Sequence, residues 1–161
     1  MTWWATALIA LLASLAGAFF GAIAAAVYAA RQRRRTARAE ILTRRLPPLL
    51  DRVADAANEV KDTLEPQPQS GEIKAAYQTL ERFAAAASRE DYERVHYPVG
   101  SHLDRIDETN AEYAATATDS NPERAPVARQ TSARQLKEWR AVGRLLVAYR
   151  DWLVKDLGRW W

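Results

Sequence analysis

Between Trp3 and Tyr28 the chain carries no charged side chain. No other stretch restricts its fates so strongly. Leu8, Leu12, Leu15, Phe19, Phe20, Ile23 and Val27 supply bulk, and alanines fill most of the remaining positions. At about 1.5 Å per residue the run makes a helix of roughly 39 Å, enough to cross a hydrocarbon core of about 30 Å and reach both interfaces. The expectation is a transmembrane helix over residues 1–30. Trp3 and Trp4 stand where amphipathic indoles anchor a helix at the headgroup level, and Tyr28 makes the opposite belt.

The charge that follows sets an orientation. Residues 31–45 hold seven arginines against the single acid Glu40, a balance of +6, whereas residues 46–161 sum to −3. Arg31, Arg33, Arg34, Arg35 and Arg38 form a basic juxtamembrane collar, and such flanks stay on the cytoplasmic side of a cell (plasma or inner) membrane. The amino terminus is therefore expected outside and the C-terminal domain in the cytoplasm. A cleaved secretory signal with an Ala-x-Ala site at Ala24–Ala26 is the competing reading. It lacks a basic leader, and arginines just past the cleavage point oppose export. The same collar suits anionic lipid headgroups, each basic residue near the surface being worth about 1 kcal/mol. Nucleic-acid binding is disfavoured, because no base-reading or stacking surface accompanies the arginines and the rest of the chain is mildly acidic.

The faces of the apolar helix differ. Gly17 and Gly21 form a small-xxx-small pair, and Ala13 extends it by four residues, while the bulky side chains fall on the other side. This face is expected to pack on another membrane helix, most simply a second copy in a homo-oligomer.

Past the collar the pattern turns amphipathic. Leu42, Leu46, Leu49, Val53, Ala56 and Val60 alternate gaps of four and three, with Leu50, Ala57 and Leu64 widening the stripe. Pro47 and Pro48 predict a kink or a restart, since neither can donate a backbone hydrogen bond. A loop is expected over residues 65–71. Ile73, Ala76, Tyr77, Leu80, Phe83, Ala84 and Ala87 mark the next helix, and Ser88-x-x-Asp91 has the spacing of a capping box. Pro98 and Gly100 are expected to end that segment, Ser101 to cap a shorter helix reaching about Thr118, and residues 119–126 to form a loop. Leu136, Trp139, Val142, Leu146, Tyr149, Leu153 and Leu157 give the clearest rhythm and should supply the core. Trp160 and Trp161 suit either the inner membrane interface or the bundle end.

The fold expectation is all-α: one N-terminal transmembrane helix, then a cytoplasmic three- to four-helix bundle or antiparallel coiled coil over residues 46–161. The absence of cysteine excludes disulfides, thiolate metal sites and cysteine nucleophiles. Glu93-x-x-His96 has the spacing of half a carboxylate-bridged di-metal site, but His102 has no glutamate three residues before it, so no metal centre is expected. Asp104, Asp107 and Glu108 cluster with Arg105 among them, and no acid and base pair stands out. Neither a phosphate loop nor a nucleophile elbow occurs. The functional expectation is thus a membrane-anchored interaction or scaffold protein with no cofactor and no enzymatic activity, acting on a protein partner at the membrane. A pore-forming or lysis-regulating protein and a membrane-tethered nucleic-acid binder are the alternatives.

Overall fold

A computed structural model describes residues 3–63, 70–117 and 124–158, all but Ser88 helical. The elements are α1 (Trp3–Glu40), a π-helical turn (Ile41–Arg45), α2 (Leu46–Thr63), α3 (Ser70–Ala87), α4 (Arg89–Ala117) and α5 (Arg124–Gly158). They divide into two units, Met1–Thr36 and Ala37–Trp161. The collar is split by this boundary, Arg38, Arg44 and Arg45 belonging to the second unit.

The first unit is a single helix, and it is long and apolar enough to cross a membrane. None of its apolar window is buried within the chain.

The second unit is a bundle in which each of α2, α3, α4 and α5 packs on two neighbours. Contact registers give the directions. Arg38 meets Asp156 while Val53 lies beside Gly143, so the chain running into α2 is antiparallel to α5. Lys74 meets Asp107 and Glu81 meets His96, so α3 is antiparallel to α4. Asp91 meets Tyr149 and Asn110 meets Gln135, so α4 is antiparallel to α5. The seams read from the sequence converge: Leu46, Leu49, Val53, Ala56 and Val60 of α2 join Ile73, Tyr77, Leu80 and Ala84 of α3 in one core. Val95, Val99, Leu103 and Ile106 of α4 and Trp139, Val142, Leu146, Tyr149 and Leu153 of α5 complete it.

Three local expectations can be set against the structure. Pro47 and Pro48 coincide with the expected restart, α2 beginning at Leu46, but the chain stays helical through it. The helix widens into the π turn instead, and the Leu46 amide donates to the carbonyl of Ile41, five residues back. That wider turn places the two prolines in the first turn of α2, where a missing amide is tolerated. It also shifts the seam by one residue, because a π turn repeats at five where an α turn repeats near four. Ile41 is consequently buried where Leu42 was expected, and Leu42 packs at the edge.

Second, Pro98 and Gly100 do not end a helix: α4 runs through both. A proline here forfeits one backbone bond, but Val95, Val99, Leu103 and Ile106 continue one apolar seam across it, and their burial outweighs the loss. Gly100 has a packing reason, since a Cβ there would lie 3.3 Å from the Tyr77 hydroxyl. That hydroxyl donates towards the His96 carbonyl at 3.3 Å.

Third, the Ser101 hydroxyl donates to the Pro98 carbonyl at 3.2 Å and so caps nothing. The expected cap at Ser88 does form: the Asp91 amide donates to its hydroxyl oxygen at 3.1 Å. Ser88 is the single non-helical residue at the α3–α4 corner. Of the expected loops, residues 65–69 and 119–123 lie outside the described residues, as do Leu64, Trp160 and Trp161, whereas Ser70 and Gly71 already belong to α3 and residues 124–126 to α5.

Candidate functional site

The most concentrated chemistry of the bundle sits where the chain enters it. Asp91 opens α4 and is fully buried. Its carboxylate accepts from Arg38 Nη2 at 2.8 Å and from Arg38 Nε at 3.1 and 3.2 Å. It also accepts from the Tyr149 hydroxyl at 3.2 Å and from the Ser88 hydroxyl. Arg38 reaches past it to Asp156 on α5. The guanidinium lies 4.8 Å from the Trp152 ring centroid, Arg94 lies 4.5 Å from the same ring, and Tyr149 stacks on it at 5.9 Å.

Each member is placed by its helix. Asp91 sits in the first turn of α4, where the helix dipole favours negative charge. Tyr149, Trp152 and Asp156 follow at helical spacing along the end of α5, and Arg38 comes from the last turn of α1. Burial opposes the charge on Arg38, but its hydrogen bonds to Asp91 and the charges of Asp91 and Asp156 prevail, and its pKa lies above the ordinary value. Burial, reinforced by the Asp91 charge, pushes the Tyr149 phenol well up. A carboxylate so fully engaged, with a guanidinium forked onto it, is a clamp. It ties the end of α1 to α4 and α5.

The other arginines of the collar are placed differently. Arg31, Arg33 and Arg34 are exposed and Arg35 is half-buried, whereas the Arg38 side chain is 15 % exposed. Trp3, Trp4 and Tyr28 are exposed at 84 %, 58 % and 65 %. Ala13, Gly17 and Gly21 are exposed, and a Cβ built at either glycine meets nothing within 4 Å. Among the described residues no packing therefore requires glycine at those two positions.

The histidines lie apart from this cluster. His96 pairs with Glu81 and stacks on Tyr92 at 4.7 Å, while Glu93 pairs with Arg89 at 2.6 Å. The helical spacing of Glu93 and His96 thus does not bring them onto one ligand. His102 pairs with Glu138, which Arg105 also approaches at 3.8 Å. Among the described residues no three His, Asp or Glu side chains gather as a metal site. Asp104 and Asp107 flank Lys74 at 3.4 and 2.6 Å and raise its pKa, chiefly through the hydrogen bond that Lys74 donates to Asp107.

A second feature lies on the outside of the bundle. Between α2 and α5 an open groove of about 750 Å³ is floored by Leu50, Val53, Ala54, Ala57, Trp139, Gly143 and Val147. Its α5 lip carries Arg140, Arg144 and Arg150, and its α2 lip carries Asp51. The Trp139 indole N–H is buried and has no hydrogen-bond partner among the described residues.

Sequence reasoning found the collar but missed the role of Arg38 and the burial of Asp91. The one available signal was the Ser88-x-x-Asp91 spacing, which locates the acid at a helix start without revealing what it faces. Compared with known proteins, the chain matches no family model, no curated protein and no solved structure.

Proposed function

We propose that this chain is a single-pass membrane-anchored helical interaction protein. One observation carries the reading. Leu8, Ile9, Leu11, Leu12, Leu15, Phe19, Phe20, Ile23 and Val27 are each between 45 % and 70 % exposed, a continuous apolar surface that the chain itself does not bury. Soluble monomers rarely leave a patch of that extent in water, and a bilayer removes it at full length. Trp3, Trp4 and Tyr28 bracket the span as interfacial anchors, and the arginines after it orient the bundle into the cytoplasm. Arg31, Arg33, Arg34 and Arg35 then face anionic headgroups, while Arg38 serves the clamp. Beyond the span, a four-helix bundle with an open groove offers a docking surface rather than a reaction centre.

Pairing of the span through Ala13, Gly17 and Gly21 completes the proposal, small residues every four positions letting two backbones approach closely. Two tests address it. The full chain should remain in membranes washed at alkaline pH, and a chain carrying Leu12→Arg and Leu15→Arg should be released. In a membrane two-hybrid assay of the span alone, without the bundle, Gly17→Leu with Gly21→Leu should abolish association, and an unchanged signal would remove the pairing face.

A further inference from the structure

The groove between α2 and α5 carries opposite charges on its two lips, Asp51 on α2 and Arg140 and Arg144 on α5. Asp55 stands one helical turn beyond Asp51 on α2, and all four are exposed. Among the described residues none of the four makes an ion pair. Their levels along the bundle match. The helices are antiparallel, and a Cβ at Gly143 would lie 3.7 Å from Val53 Cγ1, which fixes the register. Counting from that pair, Asp51 falls within about one residue's rise, ~1.5 Å, of Arg144, and Asp55 equally near the level of Arg140.

We propose that this face binds a second copy of the chain, with Asp51 and Asp55 of each copy against Arg144 and Arg140 of the other. A two-fold axis parallel to the helices carries α2 of one copy in front of α5 of its partner without changing direction or level. Acidic lip then meets basic lip twice, and like charges are kept apart. The centre of the contact is apolar, and Ala54, Ala57 and Gly143 let the helices close upon one another. An acidic peptide would satisfy the arginines but set its carboxylates beside Asp51 and Asp55. A partner needs both signs at the same spacing, and the chain itself has them.

This surface goes beyond pairing of the membrane helix and does not require it. The test therefore uses the full chain in detergent micelles carrying Gly17→Leu and Gly21→Leu, so that failure of membrane-helix pairing cannot be mistaken for failure here. The chain has no cysteine, which makes disulfide trapping clean. Asp55→Cys chains mixed with differently tagged Arg140→Cys chains should give a mixed-tag disulfide dimer under mild oxidation. Charge reversal supplies the second arm. Chains with Arg140→Glu and Arg144→Glu should lose the dimer in light scattering, chains with Asp51→Lys and Asp55→Lys should lose it too, and mixing the two should restore it. No mixed disulfide, or no recovery on mixing variants whose helical circular dichroism is intact, overturns the proposal.

Discussion

Breaking the clamp at Arg38 and Asp91 should expose how far the bundle depends on one buried ion pair. Asp91 is fully buried and the Arg38 side chain is 15 % exposed. Substituting Arg38→Met keeps most of the length but leaves a buried carboxylate with only the Tyr149 and Ser88 hydroxyls. Removing one partner of such a pair costs about 3–5 kcal/mol. Asp91→Asn is milder. The amide oxygen still accepts, and Asp156 still neutralises Arg38, so the loss is that of charge assistance, about 1.5–3 kcal/mol. The combination Arg38→Met with Asp91→Leu removes both charges, and Asp156, 27 % exposed, returns to water. It should cost less than Arg38→Met alone, which with Asp91→Leu as the other single substitution makes a coupling of at least about 2 kcal/mol. Urea unfolding of the full chain in mild detergent, followed by circular dichroism, measures all four. Amide exchange should quicken selectively around residues 37–46 in Arg38→Met. Two single substitutions that each cost under about 1 kcal/mol and add would refute the reasoning, because they would mean that the pair is solvated.

Other outcomes follow from the same structure. Gly143→Ala should stabilise the bundle by about 0.4–1 kcal/mol, since the new methyl makes ordinary contact with Val53 at 3.7 Å and the helix gains propensity. Gly100→Ala should gain less or lose, because its methyl would sit 3.3 Å from the Tyr77 hydroxyl and disturb that group's hydrogen bond; thermal melts of the two variants compare directly. Tyr149 and Tyr77 have phenols raised above the ordinary value of about 10, mainly by burial. Their contribution is complete below pH ~10 and disappears as pH rises towards the folded values, at about 1.4 kcal/mol per pH unit for each tyrosine. Tyr149→Phe should therefore flatten the alkaline limb of a stability profile.

Local pattern made much of the fold readable, and tertiary context hid the remainder. The three-four spacing of α2 and α5 reflects burial directly, and the uncharged run from Trp3 to Tyr28 forms a helix long and apolar enough to cross a membrane, so those helices are plain in the sequence. Pro98 and Gly100 carry a true local breaking signal, overridden because the seam through Val95, Val99 and Leu103 packs on both sides of it. The exchange of Leu42 for Ile41 depends on a π turn, which no simple periodicity encodes. The clamp was least legible. Arg38 and Asp91 are 53 residues apart and Asp91 and Tyr149 are 58 apart, so nothing near any of them announces the others. A run of arginines reads as uniform, yet the buried Asp91 draws Arg38 into a clamp with α4 and α5.

Whether α1 crosses a bilayer can be measured with spin labels placed one at a time by cysteine substitution along residues 4–31. In vesicles of the full chain, oxygen accessibility should rise towards the middle of this segment while that of a water-soluble nickel complex falls, with both ends returning to aqueous values near Trp4 and Arg31. A water-accessible face repeating every 3.6 residues along the whole segment would instead place the helix on a surface, and would contradict the account.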